Sequence, residues 1–412
     1  MNKTQPTLNY TSHWESSITE SIHAVYKQYQ QKQWMKQVDY NKAWEFYNHI
    51  LHKPKYICAP MVNQSELPFR MLCREYNTQL CYTPMMNSKQ YIGSDTYRMN
   101  AFTTCKQDRP LIAQFCGHDP QVMLQAVKYI ENNNDYLADA VDINLGCPQN
   151  IARRGVYGAY LMYRPDIVAD IVSTLYQNCS IPITCKIRIF DDYSNTLKFA
   201  QLLQLCGCTL LTVHGRTKSQ NKQTIGMNNL QQIQQLKRDL HIPVICNGGI
   251  ATIDDVNHVL KTTNIDGVMS SEALLSNPAL FSGQHIDSIV MSRKYLAYTQ
   301  QYPGADSSCI RGHLFKILYH RLSCNTMVRN KLGNCKPDEF VSLIDELAAD
   351  TQYQQPDMYS TLHWYHRHIV IAERQQINKS TKQPQITADN SNKHDDSESN
   401  NSQPPLQKQK LL

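Results

Sequence analysis

AVDINLG (140–146), ITCKIRI (183–189), TLLTVHG (209–215) and PVICNGG (243–249) are four short, mostly apolar runs whose reading decides the fold. Their apolar residues occupy both parities of the strand period, so strands of this kind are buried on both faces. Stretches with helical periodicity separate them, among them Ile167–Tyr176, Thr196–Leu205 and Leu230–Leu236. A buried strand, a covering helix and another buried strand form the repeating unit of a parallel sheet.

Outward from this centre the alternation continues. YICAP (56–60), QLCYTP (79–84) and LIAQFC (111–116) precede it and DGVMSS (266–271) follows, with Val122–Tyr129 and Val256–Lys261 as further helical stretches. Eight strand–helix units in roughly 220 residues predict an α/β fold, a (β/α)8 TIM barrel. The competing arrangement is a doubly wound open sheet. No GxGxxG follows the first run, which argues against its nucleotide-binding form.

The flanks differ in composition. Residues 1–50 are rich in Gln, Asn, Lys and Tyr, and Trp34, Trp44 and Phe46 predict a partly helical extension that docks on the rest. The barrel is expected over 54–290. YLAYTQQY, IRGHLFKILYHRL and PDEFVSLIDELAA, within 291–373, read as a smaller helical domain. Residues 374–412 hold almost no large apolar side chain, and such a tail is expected to be disordered. HWYHRH (363–368) reads as a helix-terminal His and aromatic surface, with metal binding as the alternative.

Composition bounds the function classes. The net charge of +6 over 412 residues is compatible with a polyanionic partner without identifying one. Fourteen cysteines are scattered with no CxxC pair, Cys206 and Cys208 being the closest, so neither a metal site nor a thioredoxin-like motif is supported. MNKTQPTLNY lacks an apolar signal core, and no run approaches ~18 apolar residues. The expectation is a soluble monomer with reduced thiols and no membrane partner, in the cytoplasm or also the nucleus.

Barrel active sites form where strands end at their C-terminal side. Those ends carry Pro60-Met61-Val62, Gln114, Asn144-Leu145-Gly146-Cys147-Pro148, Lys186 with Arg188, His214-Gly215-Arg216-Thr217 and Asn247-Gly248-Gly249. Cys147, between a glycine and a proline and before QNIARRGVYGAYL, reads as a positioned thiol; a small core residue is the other reading, and the one taken for the remaining thirteen. Lys186 and Arg188 share one strand face, either the barrel interior or the helix layer, where an anionic cofactor or a structural ion pair would meet them. Gly248-Gly249 is a plain turn or a phosphate loop; Ser270, Ser271 and Glu272 then lead into the helix ALLSNPALF, as at the recurrent phosphate site of these barrels. Arg153, Arg154, Arg216, Lys218 and Lys222, with Arg311, Lys316, His320 and Arg321 further on, are either a solvated surface or phosphate contacts.

Taken in order, APMVNQSELPFR, YTPM, DRPLIAQFCG, DINLGCPQNIARRGVYGAYLM, KIR, VHGRT, PVICNGGI and MSSEALLSNPALF resemble the tRNA dihydrouridine synthases, and within them the eukaryotic subfamily acting on D-loop positions 16 and 17. The resemblance is strong over about 54–282, and RGHLFKIL is similar to that subfamily's C-terminal extension. It implies a bound FMN, NADPH or NADH as reductant, tRNA as partner, and Cys147 as proton donor to uracil C5. By analogy Pro60, Met61 and Val62 would line the flavin ring, and Gln114 would bond its pyrimidine edge. Lys186 would face the N1/O2 edge, with His214 also touching the cofactor. Asn247, Gly248, Gly249, Ser271 and Glu272 would hold the phosphate end. Asn144, Arg153, Arg154 and Arg216 would lie near the base or the tRNA backbone. Gly249 and Ser271 depart from residues common in the family, where Asn or Asp and Ala often stand. A flavin barrel reducing a free pyrimidine and a tRNA-binding relative without catalysis are the competing functions.

Overall fold

The computed structural model describes residues 17–32, 38–133, 138–221 and 225–349. Trp34, Lys222, the HWYHRH group, residues 350–373 and the tail 374–412 lie outside the described residues.

Each of the eight apolar runs forms a strand: β1 (Tyr56–Cys58), β2 (Leu80–Tyr82), β3 (Leu111–Cys116), β4 (Ala140–Leu145), β5 (Ile183–Arg188), β6 (Leu210–His214), β7 (Val244–Asn247) and β8 (Gly267–Ser270). Neighbours pair in parallel throughout, and β8 pairs with β1, so the sheet closes and the open doubly wound arrangement is excluded. A two-residue strand, Met86–Asn87, extends the rim beside β3. Five helical stretches are helices with slightly wider bounds: Pro120–Glu131, Pro165–Asn178, Tyr193–Leu205, Leu230–Asp239 and Ile253–Thr263. Three of the five begin after an Asp or Asn whose side chain accepts the first free N–H groups, at Asp119, Asp192 and Asn229.

Side chains alternate along each strand, so one parity points into the barrel. At the N-terminal end the inward residues are Leu80, Ala140, Leu210, Ile57, Ile112 and Ile245, an apolar floor. Gly267 belongs to it because a Cβ there would lie 2.5 Å from the Pro54 carbonyl oxygen. The helix Tyr40–Glu45 runs into a π-helical turn, Phe46–Ile50, and Phe46, Tyr47 and Leu51 pack beneath this floor. Tyr47 anchors the plug, its hydroxyl 2.8 Å from the Asp266 carbonyl oxygen. Toward the C-terminal end the inward residues turn polar. The helix Ile18–Gln30 lies outside the barrel, with Tyr29 donating to Asp170 and Lys198 over the Tyr26 ring at 4.2 Å. Among the described residues no helix is long and apolar enough to cross a membrane.

Beyond the barrel come the helices Ser288–Gln301, Ser307–Ile317, Tyr319–Cys324, Thr326–Asn334 and Phe340–Ala349. The first straddles the boundary at 290–291 read from sequence; the break falls at Asp287, whose carboxylate caps it. These helices share the barrel's apolar core through Leu314, Ile317, Phe340 and Ile344. Their polar attachment is buried. His313 Nε2 lies 3.0 Å from Glu66 Oε2, and the Tyr295 hydroxyl donates to Glu66 Oε1 at 2.8 Å. The His313 ring stacks on Phe69 at 4.4 Å between centroids. Burial alone would raise the Glu66 carboxyl, but His313 and these hydrogen bonds outweigh it and hold it below its ordinary value.

A carboxyl lowered by folding contributes stability above its unfolded value and loses it as pH falls through the folded one. Glu66→Gln is therefore expected to cost about 1–3 kcal/mol at neutral pH. Melting curves of variant and parent should converge as pH falls below 4.5, the ordinary carboxyl value. A gap that stays constant into acid would refute the ion-pair account.

Candidate active site at the barrel mouth

The inward residues at the C-terminal ends of β3 to β7 form one connected polar layer. Gln114 on β3 and Asp142 on β4 are register partners, as are Asn144 and Lys186, Arg188 and His214, and His214 and Asn247. The parity that placed Lys186 and Arg188 on one face therefore resolves to the interior. Lys186 Nζ donates across the barrel to Asn247 Oδ1 at 2.8 Å, and Asn247 Nδ2 donates to the Met269 carbonyl at 2.9 Å. Burial, then Arg188, pushes the Lys186 ammonium down to about 8, with Asp142 and Cys147 acting the other way. Its hydrogen bond goes to a neutral amide, which leaves its charge for an anion to meet.

Arg188 has a different role from the one an ion pair would give. Nε donates to the Gly146 carbonyl at 2.8 Å and Nη1 to the carbonyls of Thr217 and Gln220 at 2.8 and 3.1 Å. It ties the turn after β4 to the loop after β6. Burial, then Arg216, pushes it down to about 10. His214 is held well below its ordinary value by burial and by Arg188, Lys186 and Arg216, so the imidazole is neutral at pH 7.

Cys147 sits at the start of the loop after β4, half-buried against Cys116, Ala152 and Tyr157. Its N–H donates to Asn144 Oδ1 at 3.1 Å and its carbonyl accepts from Ala159 N–H at 3.0 Å. Gly158 makes this approach possible. Its φ is +64°, and a Cβ there would lie 2.6 Å from the Cys147 carbonyl oxygen and 2.9 Å from its Cβ. Burial pushes the thiol up, partly offset by a backbone N–H at Gln149 and by Arg188 and Lys186. The sulfur is thus a protonated thiol beside two cations on the same rim.

Pro60, Met61 and Val62 follow β1 on this rim, Val62 being 57% exposed. Gly248 and Gly249 follow β7 with φ of +101° and +73°, and a Cβ on Gly248 would lie 2.6 Å from the His214 ring. Ser271 and Glu272 follow β8 at the start of the short helix Glu272–Ser276. Arg153 and Arg154 are exposed on the helix Asn150–Gly155, next to the Cys147 turn. Lys218 lies over the rings of Tyr160 and Tyr163, at 5.1 and 4.3 Å. A cleft of about 610 Å³ opens beside the mouth, between residues 189–191, Thr217, Ser219 and Gln220 on the loop after β6, and residues 227–232 at the start of the helix Leu230–Asp239.

Several cations are engaged within the fold. Arg216 is buried, with Nε donating to the Gly226 carbonyl at 3.1 Å and Nη1 3.3 Å from His214 Nε2. Arg311 donates to the carbonyls of Leu332 and Cys335 at 3.0 and 2.7 Å, and Arg321 Nη2 to Asp287 at 2.7 Å. Lys316 donates to the Gly312 carbonyl at 3.0 Å. Sequence reasoning passed over Asp142, fully buried between Gln114 and Thr184. The signal was available: an acid inside an apolar run, two residues before Asn144 and so on its face.

The family model for dihydrouridine synthases (Dus) matches residues 57–349. A Mus musculus protein named tRNA-dihydrouridine(16/17) synthase NAD(P)(+)-like is 39% identical over 307 residues, 74% of this chain and 64% of its own length. The chain thus spans just under two-thirds of that relative. A Schizosaccharomyces pombe tRNA-dihydrouridine(16/17) synthase is 40% identical over 314 residues, 72% of this chain and 77% of its own. A Homo sapiens tRNA-dihydrouridine(20a/20b) synthase-like protein is 38% identical over 230 residues, 55% of this chain and 70% of its own. With most of the barrel and the following helices inside the match, this chain belongs to the dihydrouridine synthase family.

Proposed function

We propose that this chain reduces uridine to 5,6-dihydrouridine in tRNA, at D-loop positions 16 and 17, with FMN at the barrel mouth and NADPH or NADH as electron source. The observation that carries the reading is the placement of the Cys147 thiol, pushed up by burial, on the same barrel rim as the part-buried Lys186 ammonium. The positions follow the names of the mouse and fission yeast relatives.

The residues at the mouth fit a flavin mononucleotide. Lys186 offers a largely desolvated positive charge, only partly offset by Asp142, that an anionic ring edge would meet. Gln114 and the neutral His214 offer amide and imidazole contacts, and Met61 and Val62 an apolar edge. Gly248, with no room for a Cβ, and Gly249, whose φ of +73° suits glycine, would let backbone N–H groups approach a phosphate, beside Asn247, Ser271 and Glu272. These residues would hold FMN at the mouth, and in its reduced form it would supply the hydride for uracil C6.

The chain's own residues complete the addition. Hydride at C6 breaks the C5=C6 π bond and leaves electron density at C5. The Cys147 S–H bond then breaks, its proton going to C5 and its electron pair staying on sulfur. Arg188 and Lys186 favour that thiolate until water returns the proton. The base must leave its stack to reach the mouth, at a cost of a few kcal/mol. Arg153, Arg154 and Lys218 on the same face would offset it by meeting phosphates, with Tyr160 and Tyr163 as flat surfaces beside them. Asn144 and Arg216 would act near the base from their buried positions.

Purified protein is expected to be yellow and to release FMN on denaturation; colourless folded protein would remove the enzymatic reading. In cells lacking the protein, mass spectrometry of tRNA should show dihydrouridine lost at 16 and 17 and restored by the wild-type chain but not by Cys147→Ala. In vitro that variant should keep its flavin and lose roughly 10²–10⁴-fold in uridine reduction. Gly158→Ala must displace Cys147 and should also lower turnover at least roughly tenfold with flavin retained; unchanged turnover would dissociate the thiol's position from catalysis. Raising salt from about 50 to 200 mM should weaken tRNA binding at least roughly tenfold. Affinity insensitive to salt would exclude the cationic surface as the tRNA contact.

A further inference from the structure

Beneath the proposed catalytic thiol runs an unbroken chain of side-chain hydrogen bonds. Thr184 Oγ1 donates to Asp142 Oδ1 at 2.7 Å. Gln114 Nε2 donates to Asp142 Oδ2 at 2.7 Å, and Asn144 Nδ2 donates to Gln114 Oε1 at 2.8 Å. Asn144 Oδ1 then accepts from the backbone N–H groups of Gly146 and Cys147, at 3.2 and 3.1 Å. Asp142 and Gln114 are fully buried and Asn144 is 9% exposed, so water does not stand in for a missing link.

The polarity of such a chain is set by its ends. An amide can face either way, but an ionised carboxylate only accepts and a backbone N–H only donates. With a carboxylate at the bottom, Gln114 must turn its NH2 down and its oxygen up. Asn144 must then turn its NH2 toward Gln114 and its oxygen toward the Cys147 turn. Every donor meets an acceptor. Without an acceptor at the bottom, Gln114 is free to invert, and each inversion sets two donors or two acceptors face to face further up.

We propose that Asp142 is a positioning residue that acts through Gln114 and Asn144 to hold the Gly146–Cys147 turn where the thiol can protonate its substrate. The proposal rests on the reading of Cys147 as the acid. Burial pushes the Asp142 carboxyl up to about 6, while Gln114, Thr184 and Lys186 pull the other way, so it is still mostly ionised at neutral pH. A buried charge with no direct bond to a cation is unfavourable for folding, which makes a purely structural purpose a poor account of it.

The test compares four full-length proteins: the parent, Asp142→Leu, Asp142→Asn, and Asp142→Leu combined with Gln114→Glu. Leucine matches the branching of aspartate but accepts nothing. Asparagine can still turn its oxygen to Gln114. The double variant moves the carboxylate one link up, where it again accepts from Asn144 Nδ2. Iodoacetamide alkylation at pH 8 is followed by mass spectrometry on the peptide carrying Cys147, a readout that needs neither flavin nor tRNA. Asp142→Leu should keep or raise the melting temperature yet change the Cys147 alkylation rate at least threefold and lower kcat on tRNA more than it raises KM. Asp142→Asn should stay closer to the parent, and the double variant should return the alkylation rate to it. Parent-like alkylation in Asp142→Leu would overturn the proposal, as would a change that the double variant leaves uncorrected. Should Asp142→Leu not fold, Asn144→Ala cuts the last link and must shift the same rate. A parent protein without flavin or tRNA turnover would sink the proposed function while leaving the alkylation series decisive for the chain of bonds.

Discussion

A closed parallel sheet gives each strand residue two choices, inward or outward, and the whole mouth depends on that parity being fixed. The outward parity fixes it. Val141, Ile143 and Leu145 on β4, Cys185 and Ile187 on β5, Leu211 and Val213 on β6, and Val244 and Cys246 on β7 are almost fully buried under the helices. A slip of one residue would carry Asp142 and Lys186 into that apolar layer and bring these side chains into the interior. The cost of burying unpaired charge there excludes the slip. Apolar residues that never touch a ligand thereby decide where the polar ones point.

Within the barrel the two ends are chemically opposed. The floor is sealed by Phe46, Tyr47 and Leu51, contributed by a segment outside the strand–helix repeat. The mouth concentrates Lys186, Arg188 and Arg216 around a neutral His214: Arg216 depresses Arg188, Arg188 depresses Lys186, and all three depress His214. Arg188 recovers part of its desolvation cost from three backbone carbonyls, and Lys186 has Asp142 below it. The remaining positive potential is unfavourable for the empty protein and favourable for an anionic ligand. It is stored by the fold and released by binding, the usual logic of a preorganised electrostatic site.

The strand–helix order was legible because buried parallel strands announce themselves as apolar runs, and the pairing of Lys186 with Arg188 on one face followed from their spacing. Whether that face was inward was not legible, since both faces of such a strand are covered; the plug beneath Leu80, Ala140 and Leu210 settles it. The cations were harder still. Arg216, Arg311 and Arg321 look alike in sequence to Arg153 and Arg154, yet the first three are half-buried or buried and bound to groups 10 to 34 residues away, while Arg153 and Arg154 are solvent-exposed. A backbone carbonyl leaves no mark in composition, so the spending of an arginine on one cannot be read in advance. Asp142 was legible in principle, from its parity with Asn144, but its meaning depended on Gln114 arriving from another strand.

The helices after Asp287 alter how the rim itself should be understood. Glu66 is held by Tyr295 and His313, and Cys309 Sγ donates to the Asn63 carbonyl at 3.0 Å. From the barrel side, Arg70 donates to the Ser65 carbonyl at 2.6 Å, and Met61 N–H to Ser65 Oγ at 3.0 Å. The loop carrying Met61 and Val62 is thus gripped from both directions, although Asn63 within it adopts a positive φ of 54° that costs an asparagine energy. A strained loop persists only where its surroundings over-determine it. The second segment is therefore part of the mouth's construction, since a barrel cut away at residue 287 would lose the Tyr295, His313 and Cys309 contacts to the edge nearest β1.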